Sequence, residues 1–109
     1  MKLNEVIERL NCKVLTQTAT DDKEVKGIYI CDLLSLAMSK VSEGDLWITV
    51  QANVNIVAVA VLTEASCILI AENMNVEQDV IDKANAQGVV LLKTEKSAYD
   101  AAMEIGNAL

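Results

Sequence analysis

The chain has 109 residues, 52% of them hydrophobic, and no proline. Such a length supports a single core, so one domain over residues 1–109 is expected, and the apolar content argues against long disordered linkers. The net charge of −7, with one arginine and no run of basic residues, excludes nucleic acid and anionic membrane surfaces, because phosphate binding works by basic side chains displacing counterions.

Leu3, Val6, Ile7 and Leu10 recur at helical spacing and predict a short amphipathic helix over 2–10, stopped at Asn11. Residues 13–17 read as a weak strand and 18–23 as a polar loop. Residues 25–30 predict a strand, apolar on both faces toward its end. Asp32 is then expected to cap a helix whose core face is Leu33, Leu34, Leu36, Ala37, Met38 and Val41, with Gly44 as its stop.

The next strand runs over 45–50. It leads directly into Val50-Gln-Ala-Asn-Val-Asn-Ile-Val-Ala-Val-Ala-Val-Leu62, which by β-branching alone reads as more strand. Further apolar strands start at 67 and 89, each 22 residues after the previous start. That interval fits one strand, one helix and two loops, and parallel strands need a crossover of about a dozen residues or more. A helix over 53–65 is therefore predicted, capped by Asn53, with Ile56, Val57, Ala60 and Val61 inward. Asn75 is expected to cap a helix over 76–87 that Gly88 ends. Ser97 opens a last helix with Ala98, Ala101, Ala102, Ile105 and Leu109 on its inner face. The near-continuous apolar runs at 25–30, 45–50, 67–71 and 89–93 predict strands covered on both faces. The fold class is α/β: a three-layer α/β/α sandwich with a largely parallel sheet of four to five strands, the 13–17 strand at an edge.

Only Tyr29, Trp47 and Tyr99 are aromatic, so the core must be aliphatic. No stretch is convincing as a membrane span, and the first residues carry acid where a signal peptide would be apolar, so a cytoplasmic location is expected. Cys12, Cys31 and Cys67 each lie in an apolar run, as buried reduced thiols do.

Chemistry is sparse. There is no histidine, the commonest general base and metal ligand, and no close cysteine pair for zinc. No catalytic residue, metal or cofactor is expected. Residues 88–94, Gly-Val-Val-Leu-Leu-Lys-Thr, approach a phosphate loop but lack its second glycine and have a strand in the middle. Gly106 within the last helix costs about 1 kcal/mol relative to alanine, unless it admits another backbone. Open α/β sheets bind ligands beyond the carboxyl ends of their strands. Candidate ligand-binding residues there are Asp32, Ser35, Thr49, Gln51, Asn53 and Asn55, although helix capping accounts for several of the same residues.

The stretch from Val25 to Ile70 resembles the DRTGG domain family, through Cys31-Asp-Leu-Leu-Ser35, Glu43-Gly-Asp-Leu-Trp-Ile-Thr-Val-Gln51 and Asn55-Ile-Val-Ala-Val-Ala-Val-Leu62. The resemblance implies a fold like the N-terminal domain of HPr kinase/phosphorylase. It also implies an accessory role like that of related domains in phosphate acetyltransferases and CBS-domain pyrophosphatases. No catalytic residues come with it. Where many members carry Asp-Arg, this chain has residues 51–55, and where they carry Thr-Gly-Gly it has Ala71-Glu72-Asn73. An anion site built on that arginine or those glycines does not carry over. The expected function is a non-catalytic regulatory or scaffolding domain, homodimeric, acting through protein association. The alternative is a small-ligand sensor that binds a nucleotide or phosphorylated metabolite at the strand ends.

Overall fold

Where an apolar run is buried on both faces, it becomes the centre of a parallel sheet, and three of the four runs do so here. The computed structural model describes all residues, Met1–Leu109. Along the chain lie α1 (Leu3–Leu10), β1 (Lys13–Val14), β2 (Gly27–Ile30), α2 (Leu34–Lys40) and β3 (Asp45–Thr49). They are followed by α3 (Asn55–Thr63), β4 (Cys67–Ile70), α4 (Gln78–Gln87), β5 (Leu91–Lys93) and α5 (Ala98–Gly106). The five strands form one sheet in the order β1-β5-β4-β3-β2. The β2, β3, β4 and β5 strands are parallel, and β1 adds to β5 antiparallel.

Register sorts the side chains into two cores. Tyr29, Trp47, Ile68 and Leu91 are successive cross-strand neighbours, and they pack under Ala37 of α2, Ile56, Val57 and Ala60 of α3, and Val80 and Ala84 of α4. One residue further along each strand, Ile48, Leu69 and Leu92 face the other way, onto Leu3, Val6 and Leu10 of α1 and Ala101 and Ile105 of α5. A period-two strand between two helical layers requires this alternation. The arrangement is the three-layer sandwich with a mostly parallel sheet that the sequence predicts. Trp47 is fully buried, and its indole N–H donates to the Cys31 carbonyl at 3.0 Å.

The ambiguous segment after Thr49 is a helix, beginning at Asn55 rather than at residue 53. Asn53 is not its cap, a position held by Val54 without a side-chain bond; the Asn53 Oδ1 accepts the Asn55 N–H at 2.9 Å in the turn leading in. Ile56, Val57, Val59 and Ala60 are buried, whereas Val61, placed on the inner stripe from sequence, is exposed together with Leu62. Burial of one face therefore holds a helix rich in β-branched residues.

Several expectations are corrected. Asp32 does not cap α2; Leu33 occupies the cap position without a side-chain bond, and the Asp32 carboxylate turns to the end of β3. Leu33, Leu36 and Met38 are not core. They are 63%, 41% and 48% exposed, because a helix of seven residues buries one stripe, here Leu34, Ala37 and the following Val41. The 25–30 run is not covered on both faces: β2 is the sheet edge, and Ile30 is 46% exposed. Asn75 caps nothing, since α4 begins only at Gln78 behind Glu77. The chain first passes through left-handed Glu72 and Asn73, which are tied to the neighbouring loop, and the helix starts beyond them. Leu109 is exposed. Gly106 ends α5, and a methyl group there would meet only Ile28 at an ordinary 3.9 Å, so no close backbone approach explains it. Gly88 closes α4 in the left-handed region, as predicted.

Candidate functional site

The carboxyl ends of the parallel strands form a polar rim. At its β2–β3 side, Asp32 Oδ1 accepts both the Thr49 hydroxyl and the Val50 N–H, each at 2.9 Å. The Thr49 oxygen in turn accepts the Gln51 N–H at 3.1 Å. The Gln51 side-chain oxygen Oε1 accepts from Asn53 Nδ2 at 3.2 Å, and Asn53 Oδ1 accepts the Asn55 N–H. Five of the six residues singled out from sequence thus form one chain of hydrogen bonds. Ser35 is exposed and makes no bond to it. The network ties the end of β2 to the start of α3, through Asp32 Oδ1, Thr49 Oγ1, Gln51 Oε1 and the Asn53 amide. None of these residues lines any of the three surface clefts.

A cleft of about 290 Å³ opens at the opposite side of the same rim, lined by Asn11, Lys13, Asn73, Lys93, Thr94 and Lys96, with Leu10 and Glu95. Three elements build it. The α1 helix ends at Asn11 in a left-handed turn that delivers Lys13 to the first position of β1. The antiparallel ladder then sets Lys13 directly opposite Lys93, the last residue of β5. The loops after β4 and β5 are stitched together: the Glu72 N–H donates to the Lys96 carbonyl and the Asn73 N–H to the Thr94 carbonyl, each at 2.8 Å. Thr94 Oγ1 accepts the Lys96 N–H at 3.2 Å. None of the three lysines has an ion-pair partner; the salt bridges of the chain involve Met1, Lys2, Arg9 and Lys26.

Sequence reading finds no basic cluster because Lys13 and Lys93 lie near opposite ends of the chain. Only the β1–β5 pairing joins them. A usable signal was the position of Lys93 at the end of the last strand and of Lys96 just after it, where ligand loops belong.

The cysteines are all unpaired. Cys31 and Cys67 are buried, and Cys12 is half-buried rather than buried as expected. Burial pushes the Cys12 thiol up to about 11, against a smaller downward pull from Lys96. Burial raises the Cys67 thiol further still. Neither is disposed to act as a thiolate nucleophile. No group of three or more His, Cys, Asp or Glu side chains is placed to hold a metal ion, and no helix is long and apolar enough to cross a membrane.

Comparison with known proteins bears on this geometry. A search among curated protein sequences finds no match. Among solved structures, the CBS and DRTGG domains of the regulatory region of Clostridium perfringens pyrophosphatase, complexed with the activator diadenosine tetraphosphate, superpose with a TM-score of 0.74 at 14% identity. The match covers 99% of this chain and 47% of that one, so this chain spans less than half of that regulatory region. The family model described as the DRTGG domain matches residues 5–108. The whole sheet and every helix except the first two residues of α1 fall within that match, and the chain belongs to the DRTGG domain family.

Proposed function

We propose that this domain is a non-catalytic regulatory module that acts by pairing with a second copy of itself along its β2–α2 edge. One observation carries the reading. The edge strand leaves its outward backbone groups without a ladder partner, and beside it Ile30, Leu33 and Leu36 expose apolar side chains. Apolar side chains grouped at an uncovered edge mark an association surface. A second copy is the occupant that fits, because a two-fold axis beside the edge sets two β2 strands antiparallel and places the same three side chains against one another.

Sedimentation velocity on the full chain tests this reading. It predicts a dimer at micromolar concentration and a monomer for the double variant Leu33→Glu/Leu36→Glu, which changes only exposed positions. A wild-type chain that is monomeric throughout, or a double variant that dimerises equally well, overturns it.

A second reading, sensing of a small anionic ligand at the strand ends, is favoured by the unpaired lysines of the Lys13/Lys93/Lys96 cleft in a protein of net charge −7. The pyrophosphatase regulatory region of the same fold is one that takes an activator.

A further inference from the structure

The register of the β1 edge of the sheet sets two like charges against each other. Lys13 and Lys93 are direct cross-strand partners, so their side chains leave the sheet on the same face about 5 Å apart at their β-carbons. Like charges so placed destabilise a strand pair. A strand of two residues has little else to hold it; beyond the Val14–Leu92 pair, it is secured by the Leu15 N–H to Leu91 carbonyl bond and by Thr16, whose hydroxyl accepts the Leu91 N–H at 3.2 Å. A third lysine, Lys96, lines the same cleft, and one carboxylate, Glu95, opposes the three. A local conflict that folding does not require is a signature of a binding site.

We infer that the cleft between Asn11, Lys13, Asn73, Lys93 and Lys96 binds the phosphate groups of a small phosphorylated ligand, whose charge relieves the Lys13–Lys93 repulsion. The inference rests on the ligand-sensing reading and is independent of pairing along β2. Ammonium groups bind phosphate as point charges, and the Asn11 and Asn73 amides lie on the same lining to add donors. The volume of about 290 Å³ lies at the lower end of small-molecule sites, roughly 300–1,000 Å³, which suits one or two phosphates rather than a whole dinucleotide. The left-handed backbone at Glu72 and Asn73, bonded to the loop that carries Lys96, fixes the loops before any ligand arrives.

The test is thermal unfolding of the full chain with pyrophosphate, against sodium chloride at matched ionic strength, and of Lys13→Gln/Lys93→Gln beside wild type. A ligand of the native state raises the melting temperature. The wild-type chain is expected to rise with pyrophosphate well beyond the chloride control. The double variant should be at least as stable as wild type without ligand, and should bind pyrophosphate at least tenfold more weakly. A wild-type shift no larger than with chloride overturns both this site and the ligand-sensing reading. A normal wild-type shift that the double variant retains overturns this site alone. A parallel titration with ADP identifies the source of the phosphate: tighter binding than pyrophosphate supports the site as one for a phosphorylated nucleoside, and weaker binding supports it as one for the inorganic anion.

Discussion

Asp32 shows how one side chain redirects a local rule. A carboxylate at the start of a helix ordinarily accepts a free N–H of that helix. Here two donors at the end of the adjacent strand, the Thr49 hydroxyl and the Val50 N–H, are within 2.9 Å, and the carboxylate takes both. Hydrogen bonds to a charged acceptor contribute about 1.5–3 kcal/mol, less where water can replace them, and Asp32 is exposed. Asp32→Ala is therefore expected to cost about 1–2 kcal/mol in urea unfolding, and Asp32→Asn, which keeps an acceptor oxygen, less. Equal stability of Asp32→Ala and wild type would show that the network does not hold the end of β2 to β3. The buried Trp47, the only tryptophan, reports the transition by fluorescence.

At the scale of elements, α3 separates what composition says from what burial decides. Ile56 is fully buried and Leu62 is 67% exposed, on one helix of nine residues. Ile56→Ala removes packed methyl groups and is expected to cost about 2–5 kcal/mol, whereas Leu62→Ala should fall within about 0.5 kcal/mol of wild type. Similar losses for both would mean that Leu62 is covered in solution. The helical nature of this segment was legible from the 22-residue strand interval rather than from its own residues, which favour strand. The burial of β3, β4 and β5 was legible because both faces of those runs are apolar. Two things were not. The outer face of α2 carries leucines and a methionine that no periodicity distinguishes from a core face, since six of the nine residues from Leu33 to Val41 are apolar. The lysine cleft depends on an antiparallel pairing between residues 13 and 93 that no local pattern announces. Of the six residues marked at the strand ends, five do meet, in one run of hydrogen bonds that Ser35 does not join.

Over the whole molecule the two ends of the sheet differ in kind. One edge, β2 with α2, is apolar and unpartnered; the other, β1 on β5, is basic in an otherwise acidic protein. A module that pairs through the first and takes a ligand at the second has its two surfaces joined by four directly bonded parallel strands. The claim on which the regulatory account depends most is pairing along β2. Its most direct test is amide chemical-shift mapping of the full chain from low micromolar to millimolar concentration. Shifts and line broadening confined to residues 27–40 are predicted. Spectra that do not change with concentration, or changes gathered on α4 and α5 instead, would contradict it.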